Sequence, residues 1–482
     1  MPTHPHAVAT EPLPLRRGES GTPLTPVDLA WLRMDEPANR MHVHGALVLD
    51  GDLTREAVAA VLSERFARIP RFRQRIAEDW GRYLWVDEAD FDIGRHVFEQ
   101  HLHAPGSDRI LATAIERHLH DGFDRAHALW SFHALRGYQG DKTVVLARIH
   151  HAIGDGVALM MVLLAMTDPL PGRHHDAAEH TAAVGTNPFL EILAGSHGSM
   201  LAAARHAAEQ WAPETLRLML GPAEAYAKLG LVQRTLGSAL AVGRILATFN
   251  EPATPFKGEL GVEKRIAWSE RFPLDEVKGV GKALGATLND VLNTAMAGGL
   301  RRYLARDRRP RAHLSLRCAM PVNLRQLGEM AELGNRFGLV FLDLPVGMED
   351  PERRLEVLRR ATRSLKGSAE PLLVLSLIDL AGRLPGMLQD LLVTLFGAKA
   401  TAVFTNVPGP SAKLSFGGRP LSDIFFWVPQ AGRLGLGVSI LSYDGGVRLG
   451  LATDAGLVPD PERIIDGFHA ELDALATAAA RR

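Results

Sequence analysis

The sequence contains very little cysteine and no surplus of charge of either sign. Its one cysteine, Cys318, cannot form an internal disulfide bond, and the cysteine and histidine spacing typical of a zinc site is missing. We therefore expect a cytoplasmic protein. The 54 lysines and arginines nearly balance the 55 aspartates and glutamates, which leaves a formal charge of −1. Because proteins that bind nucleic acid need a basic surface to meet the phosphates, this balance argues against a nucleic-acid partner.

Long apolar runs are missing as well. No segment reaches the roughly 18 consecutive apolar residues that a membrane-spanning helix needs. Residues 1–22 are rich in proline, histidine and charge, which is typical of a disordered lead-in and not of a signal peptide. We expect a protein that is soluble or rests on a membrane without crossing it, since apolar contacts can hold a protein there without much charge.

The length of the chain, 482 residues, exceeds what one hydrophobic core usually organises, so we expect two lobes. The predicted parts are a lead-in, an N-terminal lobe, a linker with a helical connection, and a C-terminal lobe. Their predicted bounds are 1–22, 23–167, 168–264 and 265–482.

Strand and helix patterns alternate in the first lobe. Runs rich in apolar and β-branched residues predict strands over 41–49, 130–136 and 143–150. Apolar residues at helical spacing, or in a long continuous run, predict helices over 54–67 and 157–166. The predicted class is α/β.

The chemistry concentrates in one run, His150-His151-Ala152-Ile153-Gly154-Asp155-Gly156. Neighbouring side chains of a strand point to opposite faces, so one histidine can face a reaction site while the other packs inside. A neutral imidazole can accept the proton of an alcohol as its oxygen attacks a carbonyl carbon. Two adjacent histidines are by themselves more often structural. This pair differs because a strand, turn glycines and a buried helix surround it.

Asp155 and its flanking glycines are predicted to form the tight turn that starts the next helix. We expect Asp155 to hold the local geometry through an ion pair instead of contacting substrate. Arg317 is one candidate for its partner.

The spacing His-His-x-x-x-Asp-Gly resembles the signature of the coenzyme-A-dependent acyltransferase superfamily, which includes chloramphenicol acetyltransferase and peptide-synthetase condensation domains. Within it, the chain from about residue 23 onward is similar to the bacterial wax ester synthase/diacylglycerol acyltransferase family. Further segments match that family: Pro23-Leu24-Thr25-Pro26-Val27-Asp28, Met41-His42-Val43, Ile69-Pro70-Arg71-Phe72-Arg73-Gln74-Arg75, Asn289-Asp290-Val291, Gly334-Asn335-Arg336-Phe337-Gly338 and Thr405-Asn406-Val407-Pro408-Gly409-Pro410. One departure is Ala128-Leu129-Trp130, where the family commonly has Pro-Leu-Trp.

The resemblance implies two chloramphenicol-acetyltransferase-like lobes, with mixed sheets flanked by helices and an active-site tunnel between them. It also implies that His151 is the general base, that His150 supports it, and that the alcohol attacks the thioester directly without an acyl-enzyme. The lack of a Gly-x-Ser-x-Gly nucleophile elbow agrees with direct attack. A backbone N–H near Gly156 is our candidate donor to the oxyanion.

Four further residues are candidates for binding substrate or shaping the site. Asn289 and Asp290 open a predicted helix, where they either cap its N-terminus or lie near the site, as the resemblance implies. Asn406 precedes a rigid Pro-Gly-Pro turn, which is either structural or borders the tunnel, and Trp130 precedes the catalytic hairpin. We expect no metal and no cofactor, because acyl-CoA is a substrate.

The activity implied by the resemblance moves a long-chain acyl group from acyl-CoA to a fatty alcohol or diacylglycerol, giving wax ester or triacylglycerol. The enzyme is then expected to lie peripherally at a membrane or lipid inclusion, and the apolar segment 384–396 is either core or a lipid-facing helix. Two alternatives stay open. One is an acyltransferase of the same superfamily that uses another hydroxyl or amine acceptor, and the other is a non-catalytic protein that binds lipid inclusions.

Overall fold

The computed structural model describes residues 11–170, 251–306, 309–325, 333–365, 370–384, 386–430 and 434–482. These residues divide into two compact units. The first comprises the described residues up to 170 together with 333–335 and 412–423, and the second comprises the rest. Each unit combines a mixed sheet with helices, which confirms the predicted α/β class. The predicted helical connection over 189–248 lies outside the described residues, and the predicted domain boundaries stay predictions.

The described strands, numbered along the chain, are β1 Leu13–Pro14, β2 Gly21–Pro23, β3 His42–Leu49, β4 Gln74–Asp79, β5 Arg82–Asp87, β6 Val97–His101, β7 Trp130–Tyr138, β8 Lys142–His150, β9 Asp168–Pro169, β10 Lys264–Trp268, β11 Phe272–Pro273, β12 Leu316–Asn323, β13 Phe337–Leu344, β14 Ala402–Pro408, β15 Leu414–Phe416, β16 Arg419–Trp427, β17 Leu436–Tyr443 and β18 Gly446–Asp454. The described helices are α1 Pro26–Arg33, α2 Arg55–Glu64, α3 Asp108–Leu119, α4 Gly156–Met166, Leu274–Leu284, Leu288–Leu304, Pro351–Leu365, Glu370–Arg383, Gly386–Lys399 and Glu462–Ala480, with short 3-10 turns at Phe66–Arg68, Pro70–Arg73 and Ile93–Arg95.

The main sheet of the first unit has the strand order β6-β7-β8-β3-β16-β15-β9. Its centre is antiparallel: β8 pairs with β7 on one side and with β3 on the other, and His42 lies opposite His150. This confirms the strands predicted over 41–49, 130–136 and 143–150, with ends that differ by one or two residues. A smaller sheet in the same unit has the order β1-β4-β5-β2.

Two helices of the first unit begin where the sequence predicts. Thr54 caps α2 by accepting the Ala57 N–H at 3.3 Å, although this helix ends at Glu64 and is followed by a 3-10 turn. Helix α4 is apolar along its whole length and most of its side chains are buried. Each fully buried side chain of this kind stabilises the fold by roughly 1.5–3 kcal/mol. The burial of α4 therefore fixes the position of the turn that precedes it, which ends at Asp155.

The sheet of the second unit has the order β10-β18-β17-β14-β12-β13, and β11 pairs with β18. Neighbours are antiparallel except for the parallel pairs β12 with β14 and β14 with β17. Cys318 lies on β12 and is 1% exposed, as expected for a buried strand. Burial raises the pKa of its thiol, which does not suit a nucleophile.

Two interpretations of the second unit need correction. The helix Leu288–Leu304 is capped by Thr287, which forms a capping box with Asp290, so Asn289 is not the cap. The apolar segment 384–396 includes the start of the helix Gly386–Lys399, where Met387 is 84% and Leu388 46% exposed. Core packing is therefore wrong for this first turn. Among the described residues, no helix has the length and hydropathy needed to span a membrane.

Candidate active site

The His-His-x-x-x-Asp-Gly run joins β8 to α4 in the first unit. Strand β8 ends at His150, so His151 stands one residue beyond the strand. Asp155 is the N-cap of α4, and its Oδ1 accepts the N–H groups of Val157 and Ala158, both at 3.1 Å. Gly156 is the first helical residue. Asp155 thus fixes the turn to the start of the helix, which holds His151 at a defined position.

His151 is buried and tightly held. Its backbone N–H donates to Met41 O at 2.7 Å, and its ring stacks on Trp31 with centroids 4.0 Å apart and an interplanar angle of 16°. Its Nδ1 lies 2.9 Å from Asn335 Oδ1. Burial lowers the pKa of His151 below 6.5, although the negative charge of Asp155 opposes this shift. The imidazole is therefore neutral at neutral pH, as a general base must be.

The side-chain amide of Asn335 has only one orientation that satisfies its contacts. Its Nδ2 donates to Asp28 Oδ1 and to the carbonyl oxygen of His151, both at 2.8 Å. Both partners are acceptors, so Oδ1 faces His151 Nδ1 and must receive its hydrogen. The neutral ring of His151 therefore carries its proton on Nδ1 and its lone pair on Nε2.

A backbone contact brings Asn335 to the motif. Gly334 N–H donates to Ile153 O at 3.0 Å, and Asp155 N–H donates to Gly334 O at 3.4 Å, which forms a bridge between Gly154 and Gly334. Gly334 has a φ of +112°, a conformation that favours glycine. The next residue, Asn335, is thereby placed against His151.

His150 lies in a different environment. Its Nδ1 accepts the Ala152 N–H at 3.1 Å, and its ring centroid is 5.5 Å from that of His42. Burial lowers the pKa of His150 to about 4, against the opposing charge of Asp35. His150 is thus also neutral, but its proton sits on Nε2 because Nδ1 is the acceptor.

Asp35, His42 and His150 bring one potential ligand atom each within 4.8 Å of one another. Their chemistry does not suit a metal ion. Nε2 of His150 carries a hydrogen and has no lone pair to give, because Nδ1 accepts a backbone N–H. The Asp35 carboxylate already binds the guanidinium groups of Arg40 at 3.2 Å and Arg125 at 3.3 Å. We regard these residues as a packed layer in which the two histidines are neutral and the Asp35 carboxylate is paired with arginines.

The predicted site-shaping residues fall into two groups. Trp130 is 1% exposed at the start of β7, where its Nε1 donates to Phe72 O at 2.8 Å within an aromatic cluster of the first unit. Asn289 and Asn406 meet in the second unit, where Asn406 Nδ2 donates to Asn289 Oδ1 at 2.7 Å. Asp290 is buried and binds Thr362 Oγ1 at 2.6 Å in addition to its capping bonds.

The structure shows the partners of Ala128 and Arg317, which the sequence singled out. Ala128, which stands where the family has proline, donates its N–H to Glu88 Oε2 at 3.2 Å, a bond that proline could not make. Arg317, the candidate partner of Asp155, donates to Asp343 Oδ1 at 2.8 Å in the second unit.

Trp31, Asn335 and Asp28 were not among the predicted site residues, although all three contact His151 directly or through one residue. A signal was present for two of them. Asp28 ends the first matching segment, and Asn335 lies in Gly334-Asn335-Arg336-Phe337-Gly338. In both segments, a polar residue that matches the family was the signal that could have marked it as part of the site.

Comparison with known proteins identifies the family. The model of the wax ester synthase/diacylglycerol acyltransferase catalytic domain matches residues 24–292, and that of the WS/DGAT C-terminal domain matches residues 333–476. A probable diacylglycerol O-acyltransferase of Mycobacterium tuberculosis, tgs1, is 28% identical over 475 residues, which cover 95% of this chain and 96% of that protein.

Solved structures share the fold. The wax ester synthase/diacylglycerol acyltransferase of Marinobacter aquaeolei VT8 is 21% identical, with a TM-score of 0.67 over 95% of this chain and 100% of that chain. The starter condensation domain of rhizomide synthetase, crystallised with C8-CoA and Leu-SNAC, is 13% identical, with a TM-score of 0.55 over 95% of this chain and 94% of that chain. Because one family model alone matches more than half of the sequence, the chain belongs to the wax ester synthase/diacylglycerol acyltransferase family and is an acyltransferase.

Proposed function

We propose that this acyltransferase moves a long-chain acyl group from acyl-CoA to a fatty alcohol or diacylglycerol, with His151 as the general base. The observation that carries the proposal is the state of His151. It is neutral, its Nδ1–H is bound to Asn335, and its lone pair is on Nε2, within the motif that marks the family. Nε2 is thus the atom that accepts the proton of the alcohol.

The reaction then follows in two steps. The alcohol O–H donates to His151 Nε2 while the oxygen attacks the thioester carbon, which gives a tetrahedral intermediate and an imidazolium. The intermediate collapses to the ester and expels the coenzyme A thiolate, which takes the proton back from Nε2. The oxyanion needs a hydrogen-bond donor, and the backbone N–H near Gly156, at the positive end of α4, is the candidate.

The relatives support both substrates. The M. tuberculosis relative is named for acyl transfer to diacylglycerol, and the rhizomide synthetase domain was crystallised with C8-CoA, an acyl thioester of coenzyme A. We infer that the same thioester is the donor here. No metal or cofactor takes part in the proposed steps, since His151 supplies and receives the one proton that moves.

We also propose that the enzyme works at a lipid surface, where its acceptor and product partition. The support lies in exposed apolar side chains of the second unit, on the helices Glu370–Arg383 and Gly386–Lys399. Leu380, Met387 and Leu388 are 41%, 84% and 46% exposed. Side chains of this type on a helix can enter the boundary of a lipid layer. Flotation of the protein with vesicles, and its loss in a Met387→Glu Leu388→Glu variant, tests this part.

The acceptor assay tests the reaction. Thiol release from palmitoyl-CoA is measured with hexadecanol, with diacylglycerol and without acceptor, and the lipid products are identified. His151→Asn is the matched variant, because its Nδ2 can replace Nδ1–H as a donor to Asn335 but offers no base. We expect acceptor-dependent release in the wild type and its loss in the variant. Release that His151→Asn leaves unchanged would refute the role of His151, and no release with either lipid would refute the proposed acceptors.

A further inference from the structure

A continuous line of hydrogen bonds leads away from the ring of His151. Nδ1 of His151 donates to Asn335 Oδ1 at 2.9 Å, and Asn335 Nδ2 donates to Asp28 Oδ1 at 2.8 Å. All three side chains are buried, with exposed fractions of 9%, 7% and 2%. The three residues come from separate matching segments of the sequence, yet they all lie in the first unit.

Asp28 is itself held in place. It lies in the first turn of α1, where its N–H donates to Thr25 Oγ1 at 3.1 Å. Burial raises the pKa of Asp28, while hydrogen bonds from Asn335 and Thr25 and the charge of Arg71 oppose the rise. Arg71 is fixed in turn by the face of Trp85, with its Cζ 4.2 Å from the ring centroid. Asp28, which accepts the hydrogen bond from Asn335, is thus held in place by its own contacts.

We propose that Asn335 and Asp28 are positioning residues for the general base: Asp28 holds the amide of Asn335 in one orientation, and that amide holds His151 in the Nδ1–H tautomer. This inference rests on the proposed function, in which Nε2 receives the proton. If the amide turned by 180°, its NH2 group would face Nδ1 and favour the tautomer with the proton on Nε2. That tautomer could not accept a proton from the alcohol at Nε2.

The choice of an amide instead of a carboxylate has a consequence. A carboxylate beside Nδ1 would favour the charged imidazolium and raise the pKa of His151. The neutral amide fixes the tautomer without that effect, so the base stays unprotonated. The carboxylate of Asp28 is placed one hydrogen bond further away, where it orients the amide and does not contact the ring.

The tautomer can be measured without any activity. Histidine-labelled protein gives long-range ¹H–¹⁵N correlations that distinguish a protonated ring nitrogen from an unprotonated one, and the His151 signals are assigned by their loss in His151→Asn. We expect the Nδ1–H tautomer in the wild type and a mixture in Asn335→Leu and Asp28→Leu. A wild-type His151 protonated on Nε2 overturns the inference, whether or not the protein transfers acyl groups.

The second test measures kcat and KM in two variants of one residue, Asp28→Leu and Asp28→Asn. In Asp28→Leu the Asn335 amide loses its side-chain acceptor and keeps only the carbonyl oxygen of His151 as a partner for Nδ2, and we expect kcat to fall by about 10²-fold with KM for both substrates unchanged, as for a misplaced catalytic group. In Asp28→Asn the new Oδ1 still accepts from Asn335 Nδ2, so most of kcat should return. Equal losses in the two variants, or a loss confined to KM, would contradict the positioning role. Thermal unfolding of each variant separates these effects from misfolding.

Discussion

His150 and His151 are neighbours in the sequence, and both are buried and neutral, yet their Nδ1 atoms make hydrogen bonds of opposite sense. Nδ1 of His150 accepts a backbone N–H from Ala152, whereas Nδ1 of His151 donates to Asn335. The first arrangement leaves a hydrogen on Nε2, and the second leaves a lone pair there. The same type of side chain thus packs within the fold at one position and, in the proposed mechanism, supplies the base at the other, and the partner of Nδ1 distinguishes the two.

The side chains around the two rings also differ. His150 lies against the ring of His42, and burial lowers its pKa to about 4 even though the charge of Asp35 opposes that shift. His151 lies against Trp31 and an amide, with Asp155 close enough that its charge favours protonation. Each ring has an acidic neighbour, Asp35 for His150 and Asp155 for His151, so what separates them is the partner of Nδ1, which leaves the Nε2 lone pair that the proposed base needs on His151 alone of the two.

The largest expected effect comes from making the same substitution at both positions. His151→Asn removes the base but keeps a donor for Asn335, so kcat should fall by about 10²–10⁴-fold while the protein stays folded. His150→Asn keeps an acceptor for the Ala152 N–H and should retain far more of the activity. Initial rates of coenzyme A release, with thermal unfolding of each variant, test the difference. Equal loss of kcat in two folded variants would show that both rings take part in the chemistry.

The next largest effect is on stability, when the acceptor that His150 provides for the Ala152 N–H is removed. His150→Leu leaves the buried Ala152 N–H without a partner, which should destabilise the fold by about 1–3 kcal/mol. His150→Asn is the control, because its Oδ1 can take over as acceptor. Urea unfolding measures both. If His150→Leu proved as stable as His150→Asn, the bond to Ala152 would not be what holds this ring.

Much of this region could be predicted from the sequence because its determinants are local. The strand 143–150, the glycine turn and the apolar run after it lie within about 25 consecutive residues, and Asp155 caps a helix that starts at the next position. The helix that Asn289 and Asp290 were predicted to open is also present, although the residue that caps it is Thr287, which was not predicted.

The partner of His151 could not be predicted in this way. Asn335 lies 184 residues away in the sequence, and its approach depends on a bridge between Gly154 and Gly334. Nothing in the local pattern of either segment specifies that pairing, because it is a tertiary contact between two turns. The family resemblance pointed to both segments but not to their contact. Trp130 shows the reverse case, since a residue expected to shape the site is hydrogen-bonded inside the core.

Four buried histidines of the first unit, His42, His44, His133 and His150, predict acid sensitivity. Burial lowers the pKa of His44 to about 3, that of His150 to about 4, and those of His42 and His133 well below 6.5. Below pH 6.5 these histidines bind protons in the unfolded chain but stay neutral in the folded chain. The free energy of unfolding that they contribute above pH 6.5 is therefore lost as the pH falls. Each such histidine contributes about 1.4 kcal/mol per pH unit.

Urea unfolding between pH 8 and pH 5 measures this slope. His44→Phe should flatten it by about one proton. The same slope in His44→Phe as in the wild type would mean that His44 is not kept neutral by the fold.

The smallest expected effect concerns the segment that pairs with the motif. Leu129 O accepts the His150 N–H at 3.0 Å, and Ala128 just before it donates its N–H to Glu88 Oε2. Ala128→Pro restores the residue common in the family and removes that bond, at a cost of about 1 kcal/mol. Proline also restricts the unfolded chain, which returns about 0.4–1 kcal/mol where its φ is compatible.

The two contributions nearly cancel, so Ala128→Pro should change stability by less than about 1 kcal/mol and leave kcat unaltered. Glu88→Gln is the matched control, because it weakens the same bond without restricting the backbone. Thermal unfolding and the acceptor assay compare the two. A fall in kcat in Ala128→Pro alone would show that the backbone at 128–130 positions the turn that carries His151, and the difference between the two histidines would then depend on this segment as well as on the partners of Nδ1.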